Sequence, residues 1–124
     1  SGEARLAGET IAGWTITLLE VRDADPETLE FEALGPCNTP CFRRGQFDRA
    51  AHEGAVYLDV SGWGMGEVWI NGHYLGSFWD EEKQQSILIP AEILAEKGNR
   101  IVVFDLKNND PGATMRLSDK PVFK

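Results

Sequence analysis

Residues 59–79 constrain this chain more than any other stretch. They hold three of its four tryptophans, Trp63, Trp69 and Trp79, and five of its thirteen glycines, Gly62, Gly64, Gly66, Gly72 and Gly76. Glycine lets the backbone take φ > 0 or approach another group closely. Tryptophan brings a large apolar face with one N–H that needs a partner. Near the centre, Val68 and Ile70 point to one side while Glu67, Trp69 and Asn71 point to the other. Asn71-Gly72 follows, a pair that tolerates the positive φ of a type I′ hairpin turn. The combination calls for strands joined by tight, shaped turns, with aromatic rings fixed against them.

The rest of the chain repeats this style. Trp14 to Val21 is rich in β-formers, and Asp23 to Pro26 breaks it. Leu29, Phe31 and Ala33 alternate with Glu30, Glu32 and Leu34 as one short strand, which Gly35-Pro36 ends. Cys41 to Phe47 reads as a strand with Phe42 and Arg44 on one face, Arg43 and Gly45 on the other. From Ala55 to Ser61, Val56, Leu58 and Val60 face one way. Ser86 to Ile89 is a short apolar strand closed by Pro90. Residues 90–97, with proline early and Gly98 after them, predict one short helix or helical turn. Arg100 to Lys107 is a strand whose near-continuous apolar run predicts burial on both faces. Short strands spaced by turn signals, without a βαβ alternation or a constant repeat, predict an all-β antiparallel sandwich or barrel.

At 124 residues the chain is expected to form a single domain over residues 13–124. Residues 1–12 read as a linker or tag remnant, with Ser1-Gly2 in the form of a cloning scar. A net charge of −8 argues against nucleic acid and against an anionic membrane surface. No run of about 18 apolar residues is present to span a bilayer. Cys37 and Cys41 are too few for a disulfide framework or a four-cysteine zinc site, leaving a local bridge or two thiols. Cofactors are expected to be none. Structural calcium stays open, because oxygen ligands are plentiful but no Asp-x-Asp-x-Asp loop marks a site.

The order and spacing of several motifs carry a resemblance. They are Cys41–Phe47, Leu58–Gly66, Val68–Gly76, Phe78-Trp79, Gln84-Gln85, Ile87–Pro90 and Asn99–Leu106. Together they cover about two-thirds of the chain and resemble the galactose-binding-like jelly-roll domain of glycoside hydrolase family 35 β-galactosidases. Three positions depart from that pattern. Ser77 stands where the family usually has arginine, Glu82-Lys83 where it has Gly-Pro, and Arg43 where an aromatic is common. All three are expected in loops or on exposed faces.

The resemblance implies an accessory domain whose partner is a catalytic (β/α)8 barrel, and a secreted, periplasmic or lysosomal setting. The family's hydrolytic carboxylates sit in that barrel, which a chain this short cannot form. Nothing else here marks catalysis. Asp80-Glu81-Glu82 reads as a solvated loop, His52 and His73 have no metal spacing, and Ser61-Gly62 is not a nucleophile elbow.

Three functions follow as alternatives. In the first the domain docks on the barrel and helps frame its cleft, which requires a contiguous exposed apolar patch on the order of several hundred Å². In the second it is a carbohydrate-binding module for galactose-containing glycans. Trp63, Trp79 or Tyr74 would then stack on the sugar, and Asn71, His73, Gln84 or Gln85 would bond its hydroxyls. Trp63 and Trp79 lie in glycine-rich turns and are the rings expected to be exposed. Trp69 is assigned to structure or interdomain packing, and Asn71 to the φ angle of its turn. Arg44 is expected to fork onto a buried carboxylate, Asp59 or Asp105. The third alternative is a protein–protein adhesion domain.

Overall fold

Alternation of side chains along each strand decides where the two sheets meet. The computed structural model describes residues 28–34, 38–49, 54–108, 110 and 112–124. The expected linker, the strand at Trp14–Val21, Cys37 and His52 lie outside them. The strands are β1 (Thr28–Glu30), β2 (Glu32–Ala33), β3 (Cys41–Phe47), β4 (Val56–Asp59), β5 (Met65–Ile70), β6 (His73–Trp79), β7 (Ser86–Ile89), β8 (Asn99–Asp105) and β9 (Thr114–Ser118). One sheet runs β1-β9-β4-β7 and the other β2-β3-β8-β5-β6. Every strand pairing in both sheets is antiparallel. This is the sandwich that the sequence predicts.

The core is the space between the sheets. Leu29, Val56, Leu58, Ile89, Met115 and Leu117 enter from the four-stranded sheet. Phe47, Val68, Ile70, Phe78, Ile101 and Val103 enter from the five-stranded one. A one-residue slip in any of these strands would turn its apolar set outward, so burial fixes the register. The hairpin forms as expected: Asn71 and Gly72 take φ of 51° and 82° between β5 and β6. A bulge follows, where Val68 opposes Gly76 but Trp69 opposes Tyr74, leaving Leu75 as the extra residue.

Three details differ from the sequence reading. The single strand expected at residues 29–34 is two strands in different sheets, with Thr28–Glu30 on β9 and Glu32-Ala33 on β3. The chain changes sheets at Phe31, which sets its ring edge-on to Trp63 at 5.2 Å. Gly45 permits this corner, because a Cβ there would stand 2.6 Å from the Glu30 carbonyl oxygen.

The short helix or helical turn expected at residues 90–97 is present as a single 3₁₀ turn over Ala91–Ile93. The groups that would extend it are taken by two asparagine side chains. Asn71 Nδ2 donates to the Ile93 carbonyl at 2.7 Å. Asn99 Oδ1 accepts from the Ala95 amide at 2.7 Å, and its Nδ2 donates to the Ala95 carbonyl at 2.8 Å. β8 is not buried on both faces: Ile101, Val103 and Asp105 are buried, while Val102 and Phe104 are partly exposed on the outside. Finally, β9 was not anticipated. It lies inside the four-stranded sheet and turns Met115 and Leu117 inward.

Candidate functional site

Trp63 is not exposed. Its side chain is 2% accessible, and its Nε1 donates to the Thr114 carbonyl at 2.8 Å. The Arg43 guanidinium lies 5.2 Å from its ring centroid, and Phe31 covers another edge. The glycines around it do not expose the ring; they let the turn fold it under the sheets. A ring closed in this way presents no face to a sugar.

Arg43 is also placed differently from the expectation of an exposed face. It is fully buried beside the fully buried Asp105. Its Nε and Nη2 each stand 2.9 Å from Asp105 Oδ2, and Nη2 also donates to the Asn108 carbonyl at 2.9 Å. The expected arginine–aspartate fork therefore exists, but its arginine is Arg43. Arg44 points outward and meets Glu32 at 3.2 Å. The period of two explains the exchange: on β3 the inward positions are Cys41, Arg43, Gly45 and Phe47. Cys41 is buried at the start of that row.

Two more of the expected sugar contacts are occupied by the chain's own backbone. Asn71 Nδ2 reaches Ile93 O and also Asn99 Oδ1, at 2.9 Å, while its Oδ1 accepts from the Arg100 amide at 2.9 Å. Gln85 is buried and donates from Nε2 to the carbonyls of Trp79 and Glu82, at 3.0 and 2.7 Å. Both side chains clamp loops. Asn71→Ala is expected to cost about 3 kcal/mol or more, since each of the three lost side-chain hydrogen bonds is worth roughly 1 kcal/mol and alanine is strained at positive φ. Asn71→Gly keeps the turn and loses only the bonds. Urea unfolding that finds the two variants equal to wild type would remove the clamp from the account.

His73, Tyr74, Trp79 and Gln84 remain exposed. Gln84 bonds the Ser86 carbonyl at 3.2 Å. Asp80, in the acidic loop beyond Trp79, pairs with Lys107 at 3.1 Å. Tyr74 donates to Glu67 Oε1 at 2.8 Å, and this bond to a carboxylate raises the phenol's pKa above its usual value. Tyr74 also packs against Trp69, with 5.5 Å between ring centroids. It joins a larger group.

That group is the outer face of the five-stranded sheet. Phe42 faces Phe104 across β3 and β8, Val102 faces Trp69 across β8 and β5, and Trp69 faces Tyr74 across β5 and β6. Ring centroids step from Phe104 to Phe42 at 4.6 Å, to Trp69 at 6.4 Å and to Tyr74 at 5.5 Å. Phe42 is 43% exposed and Tyr74 56%. A groove of about 280 Å³ runs beside these rings, lined by Phe42, Trp69, Gly72, Arg100 and Val102. The outer face of an antiparallel sheet is ordinarily polar, so a row of four rings across four strands makes this face the candidate site. Sequence reasoning assigned Trp69 to structure or interdomain packing and missed Phe42 and Phe104. Their signal was apolar residues at the outward positions of β3 and β8.

Comparison with known proteins agrees with this architecture. Residues 40–99 match the family model described as "Beta-galactosidase, galactose-binding domain". The chain is 31% identical to the mouse "Beta-galactosidase-1-like protein" (Mus musculus) over 98% of its own length and 20% of the relative's. It is 25% identical to the human "Beta-galactosidase-1-like protein 3" (Homo sapiens), over 99% and 19%. Against the bovine "Beta-galactosidase" (Bos taurus) it is 37% identical over 56% of this chain and 12% of the relative. The chain thus spans about a fifth of the length of the first two relatives. Its two antiparallel sheets and this match over residues 40–99 make the chain similar to the β-galactosidase galactose-binding domain family.

Proposed function

We propose that this chain is the non-catalytic accessory domain of a β-galactosidase-type glycoside hydrolase, and that it packs on the catalytic domain of that enzyme. The observation that carries this reading is the aromatic outer face formed by Phe42, Trp69, Tyr74 and Phe104. Large rings left at a surface are the residues enriched in the cores of protein interfaces. The length of the relatives supports the same reading, because they contain roughly five times the sequence seen here. Sugar contact is the weaker reading. Five of the seven residues it relied on, Trp63, Asn71, Tyr74, Gln84 and Gln85, are hydrogen-bonded to the protein itself.

The test is reconstitution. This chain and the remainder of the polypeptide that encodes it are produced separately, mixed, and passed over a sizing column. The expected result is co-elution, with hydrolysis of a nitrophenyl galactoside by the mixture and none by this chain alone. Separate elution of two folded pieces would sink the docking reading. Hydrolysis by the purified chain would sink the non-catalytic one.

A further inference from the structure

Among the described residues, the groove on the aromatic face has one charged lining residue. That residue is Arg100, and the other described lining residues are Phe42, Trp69, Val102 and Gly72, which offers bare backbone. The Arg100 backbone is held on both sides by Asn71, whose Oδ1 accepts from its amide and whose own amide donates to its carbonyl at 2.8 Å. The Arg100 side chain is exposed. The ion pairs among the described residues engage Arg43, Arg44 and Lys107, and none engages Arg100. At Gly72 a side chain would meet nothing within 4 Å, so the groove is open at the hairpin tip.

We propose that this groove receives an apolar side chain adjacent in sequence to an aspartate or glutamate, presented by the catalytic part of the same polypeptide, with Arg100 binding the carboxylate. The inference rests on the docking reading and specifies its central contact. The apolar walls suit an aliphatic or aromatic side chain, and a planar guanidinium suits a carboxylate through two parallel hydrogen bonds. A sugar fits less well, because a hydroxylated ring needs acceptors as well as donors and arginine offers only donors. A second copy of this chain fits less well too. Each copy carries −8, and the two would repel. That same net charge opposes an acidic partner at long range. Beyond a Debye length of about 8 Å the field is screened, however, and the local pair decides. Arg100 therefore sets where the partner sits more than how strongly the whole surface attracts it.

Reconstitution with point variants tests this. Arg100→Glu is expected to weaken binding of the remainder about tenfold or more, the loss of one charge-assisted contact. Leu88→Ser, at an exposed position on the other sheet, is expected to leave it unchanged. Thermal midpoints of both variants should match wild type, because neither side chain is buried. Wild-type binding with Arg100→Glu equal to it would overturn the groove contact and leave docking standing. Equal loss in both variants would also overturn it, since the effect would not be local to the groove. Failure of the wild-type chain to bind would overturn docking and the contact together. Self-association of this chain that Arg100→Glu abolishes would assign the groove to a second copy.

Discussion

Asp105→Ala is expected to lower the unfolding free energy by about 3–5 kcal/mol, the cost of leaving a buried charge without its partner. Arg43 and Asp105 are both fully buried, and the Arg43 Nη1 has no hydrogen-bond partner. Removing the carboxylate would leave the whole guanidinium between the sheets facing little more than the Trp63 ring and the Asn108 carbonyl. The same substitution releases a turn, because Asp105 Oδ1 accepts from the amides of Lys107 and Asn108 at 3.1 and 2.8 Å. Single domains are stable by only about 5–15 kcal/mol, so a loss of this size removes a large share of the total. Urea unfolding followed by circular dichroism measures it. Replacing both partners, Arg43→Met with Asp105→Leu, should recover much of the loss, because a buried pair is often no better than an apolar pair of like volume. A single-variant loss below about 1 kcal/mol would mean that the pair is far better solvated than its burial implies.

The second large effect is expected at Trp63. Trp63→Ala should cost about 3–5 kcal/mol, from lost apolar burial and the cavity left behind. It also removes the donor to the Thr114 carbonyl and the ring over which Arg43 lies. Trp63→Phe keeps most of the cover and loses the N–H, so its cost should be nearer 1–2 kcal/mol. Because Trp63 and Asp105 both contact Arg43, the double variant should depart from additivity by about 0.5–3 kcal/mol, which a double-mutant cycle reads directly. A Trp63→Ala chain as stable as wild type would contradict the buried placement and reopen Trp63 as a ligand contact.

Much of the sandwich was legible because its signals are local. Val56, Leu58 and Val60 alternate with polar neighbours, so their strand and its inward face follow from period two alone. Asn71-Gly72 specified the hairpin because few other residues accept those φ values. β9 carries an equally local signal, Met115 and Leu117 alternating with Thr114, Arg116 and Ser118. The site was much less legible. Glycines beside Trp63 suggested an exposed turn. Whether a ring in such a turn faces water depends on what else packs there, here Phe31 from the sheet-switching corner and Arg43 from β3. The aromatic face is also non-local, since its four rings come from β3, β5, β6 and β8.

By itself the amino-acid sequence determined the β-class, most strands, the hairpin, and the motif order that carries the family resemblance. Each of these depends on residues within one strand or turn. Tertiary structure alone decided which arginine meets Asp105, which tryptophan is buried, that residues 28–33 divide between two sheets, and that Phe42, Trp69, Tyr74 and Phe104 form one surface. Those outcomes depend on strand order and on the packing of one sheet over the other, which bring together residues as much as 88 positions apart, as at Thr28 and Arg116.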